Sequence, residues 1–215
     1  MSAGDIRRAR MVRELEGRGI ESRRVLEAMG KIPREAFVEE ALRAKAYEDS
    51  ALPIGERQTI SQPWIVARMC ELLEADGTGR VLEIGSGSGY HAAVLSRLFE
   101  QVYSVERIAA FSKRARETMR AVGIENVHFK IFDGSYGWSE FAPYRAVVVT
   151  AAAPEVPAPL LEQLDAGGRL VLPMGDPEAE DQVLVRMVKS AAGVVKEEHG
   201  PCRFVPLVGK YGWTP

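Results

Sequence analysis

Three glycines, Gly85, Gly87 and Gly89, alternate after the apolar run Val81, Leu82 and Ile84. A carboxylate, Glu106, closes the next apolar run, Val102, Tyr103 and Val105. The pattern is strand, tight turn, helix and a second strand tipped by an acid. Glycine admits φ > 0 and lets a ligand approach the main chain closely. A helix opening near Gly89 aims its free N–H groups and positive dipole end at the turn. A carboxylate at the tip of the second strand can accept both hydroxyls of a ribose. Glu106 follows Gly85 by 21 residues, the separation such a pair needs. The unit reads as a seat for an adenosine-containing cofactor.

A second acid points the same way. Phe132-Asp133-Gly134 ends a strand in a turn. A carboxylate there can accept the exocyclic amine of adenine, and the glycine leaves room for the ring. The same dipeptide also makes a plain turn. The glycines by themselves leave hydride and methyl transfer open. The nicotinamide pattern G-x-G-x-x-G/A fails from Gly85, where Tyr90 takes the last place, and passes from Gly87, where Ala92 does. The run Glu83, Gly85, Gly87, Gly89, or E-x-G-x-G-x-G, looks more like the first motif of S-adenosylmethionine-dependent methyltransferases.

The elements that must position these residues follow from periodicity. Residues 5–44 read as short helices: an arginine-rich one, one around Val25–Met29, and one after Pro33. Residues 47–61 carry Pro53 and Gly55 without helical period and read as a long loop, with Leu52, Ile54 and Ile60 arguing for order. Ser61, then Gln62 and Pro63, reads as a serine N-cap with proline in the first turn. Beyond the glycine unit, helices are predicted at about 109–122 and 157–165. Strands are predicted at about 126–132, 145–150, 168–173, 181–190 and 193–208, with Gly167–Gly168 turning into the strand at 168. Alternating strands and helices imply an α/β, doubly wound, mostly parallel sheet with helices on both faces. Ligands bind such sheets beyond the carboxyl ends of the strands, where Glu83–Gly89, Glu106 and Asp133 converge.

Composition excludes several classes. The 215 residues fit one α/β domain with an extension, and 46% apolar residues support a sizeable core. A net charge of −2 supplies no basic field for nucleic acid. The arginines among the first 24 residues alternate with acids, as on a solvated helix face. Cys70 and Cys202 form no disulfide framework, and His91, His128 and His199 are scattered singly, so no metal is expected. With no apolar run of membrane length, the expectation is a reduced, cytoplasmic and monomeric protein.

From about residue 25 onward the chain resembles the protein-L-isoaspartate O-methyltransferases. The stretches that carry this are YEDSALPIGERQTISQP, VLEIGSGSGYHAAVLSRL, VYSVERI, DGSYGW, AAAPEVPAPLLEQLDAGGRLVLPMG and RFVPLVGKYGW. T-I-S-Q-P is far more specific than the glycine turn. The resemblance implies a seven-stranded class I methyltransferase sheet over 61–215, with 1–60 as helical extension and substrate-side loop. It implies methyl transfer from S-adenosylmethionine to the α-carboxylate of L-isoaspartyl residues in damaged proteins and peptides, leaving S-adenosylhomocysteine. The family's active-site serine maps onto Ser61. Cofactor contacts map onto Gly85, Ser86, Gly87, Glu106, Asp133 and Gly134, with Thr59, Ile60 and Gln62 near the methyl donor. Glu83 and Arg107, inside the same motifs, join that set. The peptide-binding strand maps onto Val205, Pro206 and Leu207.

Three places depart from the family pattern. Arg145 replaces an expected acid, His91 replaces a common glutamine, and Val208-Gly209 carries no polar cofactor contact. A carboxylate nucleophile with pKa near ~4 is ionised at neutral pH, so the chemistry needs no general base. Ser61 would then donate to the carboxylate while accepting, as a cap, from a backbone N–H. Val205–Leu207 would pair with an extended peptide, using the Pro206 carbonyl or its neighbours because proline lacks the N–H. Tyr136, Trp138, Tyr211 and Trp213 read as core or rim packing. Two other readings stay open: a methyltransferase acting on another acceptor, and a cofactor-binding scaffold without turnover.

Overall fold

The structure, a computed structural model, describes residues 2–176 and 182–214. Two helices, α1 (Ala3–Gly17) and α2 (Arg23–Lys31), open the chain and lead into two 3-10 turns, Arg34–Phe37 and Glu40–Lys45. A hairpin comes next, β1 (Leu52–Gly55) and β2 (Gln58–Ile60), and then α3 (Pro63–Leu72). The alternating part comprises β3 (Arg80–Ile84), α4 (Tyr90–Leu95), β4 (Gln101–Glu106), α5 (Ala109–Ala121), β5 (Val127–Ile131), β6 (Tyr144–Val149), α6 (Ala158–Glu162) and β7 (Leu164–Met174). Two strands, β8 (Val183–Ser190) and β9 (Gly193–Pro201), complete it.

The large sheet has seven strands in the order β5-β4-β3-β6-β7-β8-β9. Strands β3 to β7 pair in parallel, while β8 runs antiparallel to β7 and β9 antiparallel to β8. The chain winds outward from β3 in one direction and then, through β6, in the other. The switch point therefore lies between β3 and β6, where such sheets bind ligands. Register levels the site residues there. Ile84 pairs with Val105 on one side and Val149 on the other. Gly85, Glu106 and Thr150 thus leave three adjacent strands at one height.

Neighbouring residues of the central strands face opposite sides, as the two-residue strand period requires. Val81, Val102, Ala146, Val148 and Val171 join a core that reaches Met11 and Leu15 of α1 through α2, α3 and α4. Leu82, Ile84, Tyr103, Val105, Val147 and Val149 face the second core with Leu160 and Leu207. Burial on both faces explains why these strands read as continuous apolar runs. On α1, Arg10 and Glu14 form an exposed pair, the solvated pattern expected there, while Arg8 pairs with Asp5 half-buried.

Several local expectations are corrected. The loop at 47–61 contains the β1–β2 hairpin, closed by Glu56 and Arg57 at φ 49° and 56°. That is a two-residue turn that usually selects Asn-Gly, so its sequence signal was missing. The helix after Pro33 is two 3-10 turns. The helix at 157–165 stops at Glu162, and β7 starts at Leu164. Gly167 and Gly168 lie inside β7, where Tyr144 pairs with Leu164 and Ala146 already with Arg169. The strand at 193–208 ends at Pro201. Beyond that strand, Pro206 pairs with Ala152 in an isolated parallel bridge. Residue 181, the start of the strand predicted at 181–190, lies outside the described residues.

Candidate active site

At the switch point the glycine turn is held by its own backbone. Gly85 has φ 96°, and its N–H donates to the Val105 carbonyl at 2.9 Å. A Cβ there would stand 2.4 Å from Thr150 Oγ1, which itself donates to the Gly85 carbonyl at 2.7 Å. Gly89, at φ 89°, is the left-handed N-cap of α4. The Gly87 N–H does not wait for a ligand: it donates to Glu106 Oε2 at 2.9 Å, while Ile108 N–H donates to Oε1 at 2.9 Å. Two loops therefore fix the carboxylate at the tip of β4. Its remaining lone pairs stay available to a diol.

Glu83 lies beneath this turn, fully buried. Its Oε2 accepts from Ser104 Oγ, which lies 2.5 Å from Ser86 Oγ, and its Oε1 has no partner among the described residues. Burial pushes its carboxyl up to about 8, and the nearby Glu106 adds to that against the lowering effect of Ser104. Burial thus favours the protonated form of Glu83, which supports Ser86 from below through Ser104.

A cleft of about 950 Å³, counting its open mouth, spans the switch point. Gly85, Ser86, Gly87, Glu106, Arg107 and Gly134 line it together with Thr59, Ile60, Ser61, Val205, Pro206 and Leu207. Three expected residues do not. Glu83 is the buried support just described. Gln62 occupies the N-cap position of α3 without a side-chain cap bond. Asp133 turns away: its Oδ1 accepts from Ser135 N–H and Oγ at 2.9 and 2.7 Å, and its Oδ2 from Lys210 N–H at 2.8 Å. Gly134 does line the cleft, but its small size answers to Ile84, whose Cγ2 a Cβ would meet at 2.4 Å.

Ser61 is not the helix cap. Asp49 Oδ1 accepts from Trp64 N–H at 2.8 Å and does that work from the preceding loop. The Ser61 carbonyl accepts from Arg34 Nη2 at 2.7 Å, and its hydroxyl makes no hydrogen bond among the described residues. The segment 205–207 is tied on one side only: Val205 O accepts from Ala152 N–H and Leu207 N–H donates to Ala152 O, both at 2.8 Å. In a parallel bridge the middle residue points its own carbonyl the other way, so the Pro206 oxygen faces away from Ala152. Tyr136 and Tyr211 are exposed at the rim and pack edge to face, with centroids 5.3 Å apart.

Sequence reasoning missed Arg34, Asp49 and the cleft-facing role of Tyr90. The cleft also includes Thr150, Ile108 and Phe111. Asp49, Tyr90 and Ile108 lie inside the stretches that carry the resemblance, which assigned them no role; Arg34, Phe111 and Thr150 lie outside those stretches and are brought here by topology. His91, marked only as a departure, lines the cleft with Nε2 3.3 Å from Cys70 Sγ, and burial pushes its ring down to about 4, keeping it neutral. Arg145 forms an exposed pair with Asp76 at 3.4 Å, remote from the cleft lining. Both cysteines are free. Among the described residues no cluster of metal-ligating side chains occurs, and no helix is long and apolar enough to cross a membrane.

The family model described as protein-L-isoaspartate(D-aspartate) O-methyltransferase matches residues 6–212. A protein-L-isoaspartate O-methyltransferase of Geobacter metallireducens is 55% identical over 211 residues, covering 97% of each chain. One of Syntrophus aciditrophicus is 51% identical over 209 residues, covering 96% of each. A solved protein-L-isoaspartate O-methyltransferase, 34% identical, superposes with a TM-score of 0.86 over 95% of this chain and 67% of that one. A Plasmodium falciparum structure, described as a putative member in complex with S-adenosyl-L-homocysteine, is 23% identical with a TM-score of 0.77 over 92% and 96%, and shares the fold. Matched from near its first residue to near its last, the chain belongs to the protein-L-isoaspartate(D-aspartate) O-methyltransferase family.

Proposed function

We propose that this one cleft seats both the methyl donor and the damaged residue, over the carboxyl edge of β3. As a family member the chain transfers a methyl group from S-adenosylmethionine to the α-carboxylate of L-isoaspartyl residues in proteins. The backbone nitrogen of the following residue attacks the methyl ester carbonyl and methanol leaves, which a free carboxylate does not allow, so a succinimide re-forms and can open to normal aspartate. The observation that carries the assignment of roles is the shared lining: the glycine turn and Glu106 face the same space as Ser61 and Val205–Leu207.

The residues present fit the cofactor. A Cβ at Gly85 would be blocked by Thr150, so the turn keeps a bare backbone wall. Glu106 is held by two amides at the height where a ribose would sit. When bound, S-adenosylmethionine supplies a methyl carbon activated by its sulfonium. Gly85, Ser86, Gly87, Glu106 and Arg107 hold the adenosine part, Gly134 borders it, and Thr59 and Ile60 border the methyl end. Gln62, Glu83 and Asp133 act from behind the lining as supports.

Ser61 donates its free hydroxyl to the substrate carboxylate and orients one oxygen for in-line attack. No residue needs to remove a proton, because the carboxylate is already ionised. The Pro206 carbonyl accepts a peptide N–H, a contact indifferent to flanking sequence. Both reacting charges diminish as the methyl moves, so a water-poor cleft favours transfer. Residues 1–60 serve as the substrate-side extension to the cofactor-binding sheet of 61–215. A monomer in the cytoplasm, without nucleic-acid partners, suits the free cysteines and the net charge of −2. The test offers labelled S-adenosylmethionine with an isoaspartyl peptide and its aspartyl twin. Base-labile label on the first alone is expected; equal label on both, or none, overturns the reading.

A further inference from the structure

The helical extension sends one charged side chain into the core beside the site. Arg34, which opens the 3-10 turn after Pro33, is fully buried. Its Nε donates to the Ala46 carbonyl and its Nη2 to the Ser61 carbonyl, both at 2.7 Å. Its guanidinium carbon lies 4.6 Å from the ring centroid of Tyr90. Ser61 and Tyr90 line the cleft; Arg34 stands behind them.

Two features of this arrangement are unusual. Nη1 is buried with no hydrogen-bond partner among the described residues. The guanidinium also lacks an ion-paired carboxylate there. Asp49, whose charge reaches it, is paired with Arg18, and Glu35 accepts from Tyr47. Buried charges are ordinarily paired, because neither carbonyls nor an aromatic face replaces the lost hydration fully. The fold keeps a buried positive charge with no direct salt bridge, opposed only by the more distant Asp49 and by the Tyr90 ring, directly behind the residue proposed to meet an anionic substrate.

We propose that Arg34 is a positioning residue for the acceptor: it anchors the Ser61 backbone and its unpaired charge draws the isoaspartyl α-carboxylate into the cleft. This rests on the reading of Ser61 given above. The physics separates its effect from that of Ser61. Attraction to a charge is strongest while the carboxylate is intact and weakens as the methyl arrives. Arg34 therefore favours substrate binding over the transition state, and its loss raises KM more than it lowers kcat. Lysine can keep the charge but not the two-point fork.

The experiment compares two peptides that differ only at the reacting group, an isoaspartyl α-carboxylate and its α-carboxamide, binding to the protein with S-adenosylhomocysteine present. Wild type is expected to prefer the carboxylate at least tenfold. R34Q is expected to lose that preference to within twofold and to raise the peptide KM about tenfold, a larger change than its fall in kcat, with cofactor Kd kept within twofold. R34K is expected to retain most of the preference. A wild-type preference below twofold overturns the proposal without any variant, which covers a glutamine variant that does not fold. A retained preference in R34Q, a lost one in R34K, or a cofactor Kd that shifts together with KM overturns it as well. Selective methylation of the isoaspartyl peptide by wild type keeps the broader reading standing if the Arg34 result fails.

Discussion

At the scale of single residues, Glu106 and Ser61 carry separable burdens. Both Glu106 oxygens are engaged by backbone amides, so its carboxylate is oriented before any ligand arrives. Hydrogen bonds to a charged acceptor contribute roughly 1.5–3 kcal/mol. E106A is therefore expected to weaken cofactor binding by about 10- to 100-fold, read by titration calorimetry; an unchanged Kd would remove the diol role. Ser61 differs because its hydroxyl is uncommitted and Asp49 performs the capping. S61A is expected to cut isoaspartyl-peptide turnover by about tenfold or more, with cofactor Kd and thermal midpoint nearly unchanged. A drop in thermal midpoint instead of turnover would return Ser61 to a structural role.

At the scale of elements, Asp133 joins what the sequence separates by 77 positions. It caps the short turn Gly134–Tyr136 and holds the backbone of Lys210, while Trp213 N–H donates to the Leu207 carbonyl at 2.7 Å. The chain around Pro206 is thus fastened at the turn after β5 as well as at Ala152. D133A is expected to speed amide hydrogen exchange at Lys210 and Tyr211 by tenfold or more without any cofactor present, and to raise peptide KM. An acid that served only adenine would leave exchange in the free protein unchanged. This element also marks the boundary of what was legible in the chain. The β3–β4 unit could be read because glycine spacing, apolar runs and a tip acid are all local signals. The hairpin at 52–60 could not, since Glu56 and Arg57 adopt left-handed backbone without glycine or asparagine. Segment 202–208 could not either. Its valines and prolines look like strand, but Gln182 donates from Nε2 to the Phe204 carbonyl at 3.1 Å and accepts the Phe204 N–H at 2.7 Å, and that contact is set by tertiary placement. Ser61 lines the cleft but does not cap α3, because the cap, Asp49, lies twelve positions earlier in a loop.

At the scale of the whole molecule, two buried titratable groups beside the cleft tie stability to pH with opposite signs. Burial pushes His91 down to about 4 from 6.5. The unfolded chain then binds a proton that the native protein refuses, so the His91 contribution is complete above 6.5 and is lost as pH falls toward 4. Glu83 is raised by burial to about 8 from 4.5, so its contribution is complete below 4.5 and is lost as pH rises toward 8. Between 4.5 and 6.5 the two slopes cancel, and above 6.5 that of Glu83 acts alone. Denaturant unfolding across this range separates them, with each variant compared against wild type so that other groups drop out. E83Q, which keeps the shape without the ionisation, is expected to remove a loss of about 2 kcal/mol between pH 6.5 and 8. It should also unmask a rise in stability from pH 4.5 to 6.5 that the wild type hides. H91Q, as the mirror experiment, should fall steadily from pH 4.5 to 8. Parallel profiles for wild type and E83Q would mean that Glu83 is ionised beneath the glycine turn. It would then add a negative charge beside that of Glu106 in place of a neutral prop for Ser86.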